Sequence, residues 1–258
     1  MLILLPPSEG KTAPSRGHAV DPSSLARPDL TEARERVRKT LAEVSAAPDA
    51  LRTLGVGKSL RAEVERNVDL LQAPAAPAAQ VYTGVLYEAA QLAHLSGTAL
   101  RRANAGVRVV SALWGVLSPA DRIPAYRLSM NTTLPGIGPL ARFWRDHLGT
   151  ELRPPGGDVV IDCRSSAYQA AWHPPAGTPW LTVRVVQVRQ DGQRAVVSHH
   201  AKHTRGLLTH HLLTRAGAPP RTIAATVAAA REMVGSALCE VNHLPAARGA
   251  DQLELVLA

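Results

Sequence analysis

The sequence predicts an α/β fold, a mixed α+β domain with a central mixed sheet and surrounding helices, on three observations. Short apolar runs of strand length recur from one end to the other, at residues 2–5, 107–113, 158–162 and 253–257. Segments with helical spacing separate them along the whole length. The third observation is size: 258 residues, 45% hydrophobic and 19% charged, suit one globular core. A single compact domain over residues 1–258 is therefore expected.

The elements follow in order. Residues 2–5 are a buried first strand, stopped by Pro6-Pro7. Residues 12–28 are polar and contain prolines, a loop. Residues 30–46 have helical spacing, with Thr31 as the cap and Glu32 and Glu35 as first-turn acids, although Arg34 breaks a capping box. Two short helical segments, 49–54 and 59–71, are joined by Gly55-Val56-Gly57, and a Pro/Ala connector covers 73–79. Residues 85–94 read as helix, 107–113 as a buried strand, and 115–130 as a long irregular segment. Helix at 139–148, strand at 158–162 and a short helix at 165–171 come next. The clearest local signal is a hairpin, with β-rich runs 181–189 and 193–200 flanking Asp191-Gly192, a turn dipeptide that tolerates positive φ. Helices at 204–215 and 222–234 and a last strand at 253–257 complete the chain.

Charge bounds the partners. The formal net charge is +8, which points to an anion such as nucleic acid or a phosphorylated small molecule. Aromatics are only 3%, too few for a stacking platform on single strands. No stretch approaches the ~20 apolar residues of a membrane span, so no membrane association and a cytosolic location are expected. Cys163 and Cys239 have no zinc or disulfide spacing. His199, His200, His203, His210 and His211 lack the neighbouring carboxylates of a metal site, so no metal and no cofactor are expected.

Lysine is scarce among the 29 basic residues: only Lys11, Lys39, Lys58 and Lys202. Lysine is a compact cation whose pKa shifts on burial, whereas arginine is a fixed fork. Lys11, Lys58 and Lys202 stand in small-residue or polar settings, where lysine chemistry is the reason to keep them. Polar groups also gather at or beyond the carboxyl ends of four strands, where open α/β sheets form their sites. The first strand delivers Ser8 and Lys11, the second Ser111, Asp121, Tyr126 and Arg127, the third Asp162, Arg164, Ser165 and Ser166, and the fourth Lys202 and Arg205. Convergence of these groups on one basic cleft is the expectation. The segment 202–206 also stands at the N-terminal end of the helix read at 204–215, and cations such as Lys202 and Arg205 at a helix start call for an anion beside them.

Gly57-Lys58-Ser59 is not a P-loop, because Arg52 stands where that motif needs glycine and a helix precedes it. The pattern Leu51-x-x-Leu54-Gly55-Val56-Gly57-x-x-x-x-Ala62 instead resembles the helix-hairpin-helix of DNA-binding proteins, over about 49–71. Its glycines turn the backbone so that N–H groups approach a phosphate, a contact that positions without reading sequence. Gly55, Gly57 and Lys58 are the DNA-contact candidates.

Several blocks in chain order resemble the YaaA family of peroxide-stress proteins. They are residues 3–11, Val81-Tyr82-Thr83-Gly84, 111–130 with Ser118-Pro119-Ala120-Asp121 at its centre, Phe143-Trp144, Asp162-x-x-Ser165-x-x-Tyr168, and 201–206. The resemblance implies a cytosolic protein that limits peroxide damage, a mixed α/β fold with a positive cleft, and binding of double-stranded DNA. It supplies no established reaction. Ser8-Glu9-Gly10-Lys11 departs from the commoner Ser-Pro-Ala-Lys type, and His199 and His200 replace an aromatic pair.

Two functions compete. The first is a DNA-binding stress protein. The second is an enzyme acting on a nucleobase, nucleotide or damaged DNA, of glycosylase, lyase or hydrolase type. There Lys11 or Lys202 would act as a desolvated amine nucleophile, Asp121 or Asp162 as acid/base, and Ser8, Tyr82, Thr83, Tyr126, Arg127, Ser165 and Arg205 would hold the ligand. Iron sequestration is a weaker third.

Overall fold

The computed structural model describes residues 1–149, 152, 155–188, 193–196 and 198–257. An interior strand of its main sheet is β1 (Leu2–Leu5), which pairs in parallel with β2 (Val107–Ser111) on one side and β4 (Val160–Asp162) on the other. Ile3, Leu4 and Leu5 are fully buried. A strand covered on both faces needs an unbroken apolar run, which Leu-Ile-Leu-Leu supplies. Pro6 and Pro7 end the pairing because they donate no N–H.

The sheet continues through β5 (Trp180–Val188) and β8 (Asp251–Leu257), both parallel to β1, and ends on β7 (Glu240–Leu244), antiparallel to β8. The other edge is β3 (Gly115–Leu117), antiparallel to β2. The order is β7-β8-β5-β4-β1-β2-β3, with β6 (Arg194–Val196) also paired to β5. The expected mixed sheet is present.

The segment read as irregular over 115–130 contains β3, and the helix read over 59–71 is confined to Arg61–Glu65 after a 3₁₀ turn. Three further sequence expectations change. The strand read over 107–113 stops at Ser111, whose Oγ accepts the N–H groups of Leu113 and Trp114 and closes a tight turn into β3. Gly115 makes that turn with φ +69°, and a Cβ there would lie 2.6 Å from the ring of the buried Trp144. Thr31 is not a cap, since α1 (Thr31–Ala46) follows directly on a 3₁₀ turn and the Thr31 hydroxyl donates to Pro28 O. Arg34, which broke the capping box, is buried and donates to the carbonyls of Trp114 and Val116, tying α1 to the β2–β3 turn.

The third change matters most. The second hairpin strand spans only Arg194–Val196, and helix begins at Ser198, not at 204. The Asp191-Gly192 turn lies outside the described residues, but the flanking strands pair antiparallel from Val188↔Arg194 to Val186↔Val196. β4 pairs with β5 only as far as Asp162↔Thr182, and β6 pairs with it from Val186 onward. The chain leaving β6 therefore returns toward the carboxyl end of β4, and α8 (Ser198–Thr214) starts there.

Candidate functional site

β1 and β4 are neighbours, yet the chain leaves β1 for β2 on one side and leaves β4 for β5 on the other. Such a switch of direction opens a crevice beyond the carboxyl ends of the two strands. A cavity of about 300 Å³ lies there. Its floor comes from Pro6 to Gly10 after β1, and one wall from Thr83 to Tyr87 at the start of α4 (Val85–Ala90). Ser165 and Tyr168 follow β4, and Lys202 and Arg205 project from α8.

Lys202 and Arg205 belong to the second and third turns of α8, so the expectation that they stand at the helix start is corrected. Arg205 is half-buried; its Nε and Nη2 donate to Val183 O at 3.2 and 2.8 Å. Val183 falls between the stretches of β5 that pair with β4 and with β6, so the guanidinium satisfies a carbonyl in that gap. α8 lies close against α4 at Gly206, where a Cβ would sit 2.3 Å from Leu86 O.

The cavity floor is cross-braced. Ser8 Oγ accepts from Thr83 N at 3.1 Å and donates to Gly10 O. Lys11 Nζ donates to Ser8 O at 2.7 Å and sits 4.3 Å from the centroid of the Tyr126 ring, a cation–π distance. Lys11 is thus behind the floor and does not line the cavity. Arg127 donates to Glu9 O at 3.1 Å and pairs with the Glu9 carboxylate at 2.9 Å and with Glu63 at 3.6 Å. Glu63 belongs to α3 (Arg61–Glu65), which follows the Gly55–Gly57 turn, and the buried Asn67 grips the Arg127 backbone from both sides, at 2.8 and 2.9 Å. One arginine therefore joins the cavity floor to the region of α3.

Burial, with Arg127 beside it, pushes the Lys11 ammonium down to about 8, against the opposing pull of Glu9 and Glu63. Below that pH the group is a cation and above it a free amine. Acylation of Lys11 by an amine reagent is therefore expected to rise through a midpoint near 8, not near the ~10.4 of an ordinary lysine. Residue-resolved mass spectrometry across pH 6–11 checks this, and a midpoint above 10 contradicts it.

Tyr82 and Tyr126 stand behind the floor with Ser111. Ser111 Oγ already accepts two N–H groups, so it donates to Tyr126 Oη at 2.7 Å; Tyr126 and Tyr82 share a bond of 2.9 Å. Burial raises both phenols far above neutrality, so they remain hydroxyls.

Two expected residues stand elsewhere. Asp121 does not line the cavity, because the chain doubles back at Gly115 and β3 carries it away from the end of β2. Its carboxylate accepts from Ser118 N at 2.9 Å and from Ala26 N at 3.0 Å. Asp162 is completely buried in a bidentate pair with Arg164, at 2.7 and 2.8 Å. Arg164 donates onward to the carbonyls of Tyr168 and Trp172, so the pair holds the segment carrying Ser165 and Tyr168. Gly55, Gly57 and Lys58 are exposed, on the turn before α3 and away from the cavity lining.

Some groups were not singled out from sequence. The chain has four tyrosines: Tyr87 and Tyr168 line the cavity, and Tyr82 and Tyr126 lie behind its floor. In a chain so poor in aromatics, that residue type was the available signal. Glu63 and Asn67 carried no local one. Burial pushes the Cys163 thiol up to about 12, so it is no thiolate for peroxide at neutral pH. No group of His, Cys, Asp and Glu able to hold a metal occurs among the described residues, and no helix there is long and apolar enough to cross a membrane.

Comparison with known proteins agrees with the blocks that carry the resemblance. A UPF0246 protein of Streptomyces coelicolor is 46% identical over 222 residues, 85% of each chain. UPF0246 proteins of Corynebacterium efficiens and Corynebacterium glutamicum are 42% and 41% identical, over 83% and 82% of this chain and 85% and 84% of theirs. The family model described as peroxide stress protein YaaA matches residues 1–229, and the chain belongs to that family.

Proposed function

We propose that this protein binds double-stranded DNA through its hairpin and, in the cytosol, limits oxidative damage during peroxide stress. The observation that carries the reading is the exposed turn between α2 (Ala50–Thr53) and the segment Lys58–Leu60. Gly55 turns the chain with φ +65°, while Gly57 is extended at φ −74°. The N–H groups of Lys58 and Ser59 open a helical segment and have no preceding carbonyl in helical register. Lys58, Arg61 and Arg66 are exposed and make no ion pair among the described residues. Of the element's carboxylates, Asp49 is held by Arg52 and Glu63 faces Arg127, leaving Glu65 and Asp69. Free N–H groups beside these exposed, unpaired cations suit a DNA phosphate.

Gly57→Val is the test. A Cβ at Gly57 meets only Ser59 Oγ, at 3.9 Å, and the backbone is one that valine adopts, so the variant folds normally. It places a branched side chain where a phosphate would approach. Duplex affinity, read by fluorescence anisotropy, is expected to fall at least roughly tenfold, the loss of about one charge-assisted hydrogen bond. Unchanged affinity would sink the hairpin reading.

A second reading, chemistry on a nucleobase, nucleotide or damaged DNA, draws support from Lys11. With a pKa of about 8, about a tenth of it is free amine at pH 7. Ser8 and Glu9 lie between that amine and the cavity, so a reaction there needs the floor to open. Borohydride trapping on lesion-containing DNA is expected to link Lys11 covalently. If a broad lesion panel yields no adduct, the amine has no such role.

A further inference from the structure

The polar groups of the strand-end cavity divide by whether they are already engaged. The Glu9 carboxylate is held by Arg127, and the hydroxyls of Ser8 and Thr83 both face Gly10 O. Three groups keep donors free of any acceptor among the described residues and so open to an anion: Lys202, Ser165 and Arg205. Lys202 is exposed and has no ion pair among the described residues; the Ser165 hydroxyl has no partner there. Arg205, held at Nε and Nη2 by Val183 O, keeps both Nη1 hydrogens. Every one of these groups can donate, and two are cations. No carboxylate in the cavity is free to neutralise them. The remaining wall is Pro6, Pro7, Val85 and Leu86 with the rings of Tyr87 and Tyr168, the Tyr87 hydroxyl donating to Pro6 O. The volume of about 300 Å³ stands at the lower end of small-ligand sites, roughly 300–1,000 Å³, so a single nucleotide fits and a duplex does not.

We infer that this cavity binds one nucleoside monophosphate unit, its phosphate on Lys202, Arg205 and Ser165 and its flat base against the proline wall. A fixed guanidinium fork beside a flexible ammonium matches a phosphate dianion. The unit arrives either as a free nucleotide or as the 5′-phosphorylated end of a DNA strand, since both present the same group. The inference rests on the cavity that the chemical reading also uses. It requires neither a reaction there nor duplex binding at the hairpin.

Calorimetric titration of the full chain tests it, with AMP, adenosine, ribose 5-phosphate and inorganic phosphate as probes. A second arm compares a short single strand bearing a 5′-phosphate with the same strand ending in a hydroxyl. AMP is expected to bind at least roughly tenfold more tightly than adenosine and than inorganic phosphate. Lys202→Gln is expected to remove most of the advantage over adenosine, and Arg205→Gln serves as a second variant should one be poorly folded. A Lys202-dependent preference for the 5′-phosphorylated strand, with weak AMP binding, assigns the strand end as the source. AMP no tighter than adenosine or than inorganic phosphate together with no preference for the 5′-phosphorylated strand, a Lys202→Gln variant that binds as wild type in both arms, or no binding in either arm would each overturn the inference. The same titrations on Gly57→Val keep the two readings apart, because a loss confined to duplex DNA concerns the hairpin alone.

Discussion

Asp162→Asn is expected to lower stability by about 3–5 kcal/mol, the cost of leaving one member of a buried ion pair uncompensated. Both side chains are fully buried, and Asp162 accepts from Arg164 through both oxygens and from the Arg164 backbone N–H at 3.0 Å. An amide cannot hold the guanidinium in the same way, and the charge would be left with the carbonyls of Tyr168 and Trp172. Typical domains have only about 5–15 kcal/mol in reserve, so the urea midpoint should fall sharply. Asp162→Leu with Arg164→Met, which removes both charges, should recover much of the loss. If Asp162→Asn unfolds as the wild type does, the pair is not structural and the carboxylate returns as a candidate acid.

Gly206→Val is expected to cost about 3 kcal/mol, the upper range of ordinary overpacking. The obstacle is backbone: a Cβ would meet Leu86 O at 2.3 Å, Ala89 Cβ at 2.7 Å and Ala90 N at 3.1 Å. No rotamer change relieves these contacts, so α4 and α8 must separate. Leu86 and Arg205 stand on opposite sides of that contact and both line the cavity, so its shape changes with the helix spacing. A melting temperature within a degree of wild type would show that the helices are less tightly apposed than described.

The sequence made some of this legible for physical reasons. Leu-Ile-Leu-Leu before Pro6-Pro7 can be little other than a strand covered on both faces, and β1 lies inside the sheet between β4 and β2. The run 253–257 likewise lies in β8. Less visible were elements whose identity depends on partners. Glu240–Leu244 is a strand because β8 offers it an edge, and Gly97–Gly106 is a helix that buries only Ala103 and Gly106. The start of α8 was misread because Ala195-Val196-Val197 looks like strand. The helical spacing is nevertheless there, since Ala201, Thr204, Leu208, Thr209, Leu212 and Leu213 are buried, at intervals of three and four residues with their neighbours. Thr204 sits inside because its hydroxyl donates to His200 O at 2.8 Å.

For the site, residue type was a better guide than position along the chain. Ser8, Thr83, Ser165, Lys202 and Arg205 do meet in one cavity, though three crossings of the sheet separate them in sequence. Asp121 and Asp162 looked equally chemical. One is turned into a loop clasp by the reversal at Gly115, the other into the anchor of Arg164. Arg164 and Ser118 stand in the same sequence blocks as these carboxylates, but only the fold shows that they are their partners and that Ala26 closes the second clasp. The scarce lysines are likewise sorted by surroundings: Lys202 in the cavity, Lys11 behind its floor and Lys58 on the turn before α3.

Duplex affinity as a function of salt tests the central claim most directly. Each phosphate contact contributes about 0.9 to the slope of log affinity against log salt. For Lys58→Gln, measured beside the wild type on one duplex, the slope is expected to shrink by about one, with affinity falling uniformly across DNA sequences. Superimposable salt plots for the two proteins would contradict a phosphate contact at the hairpin.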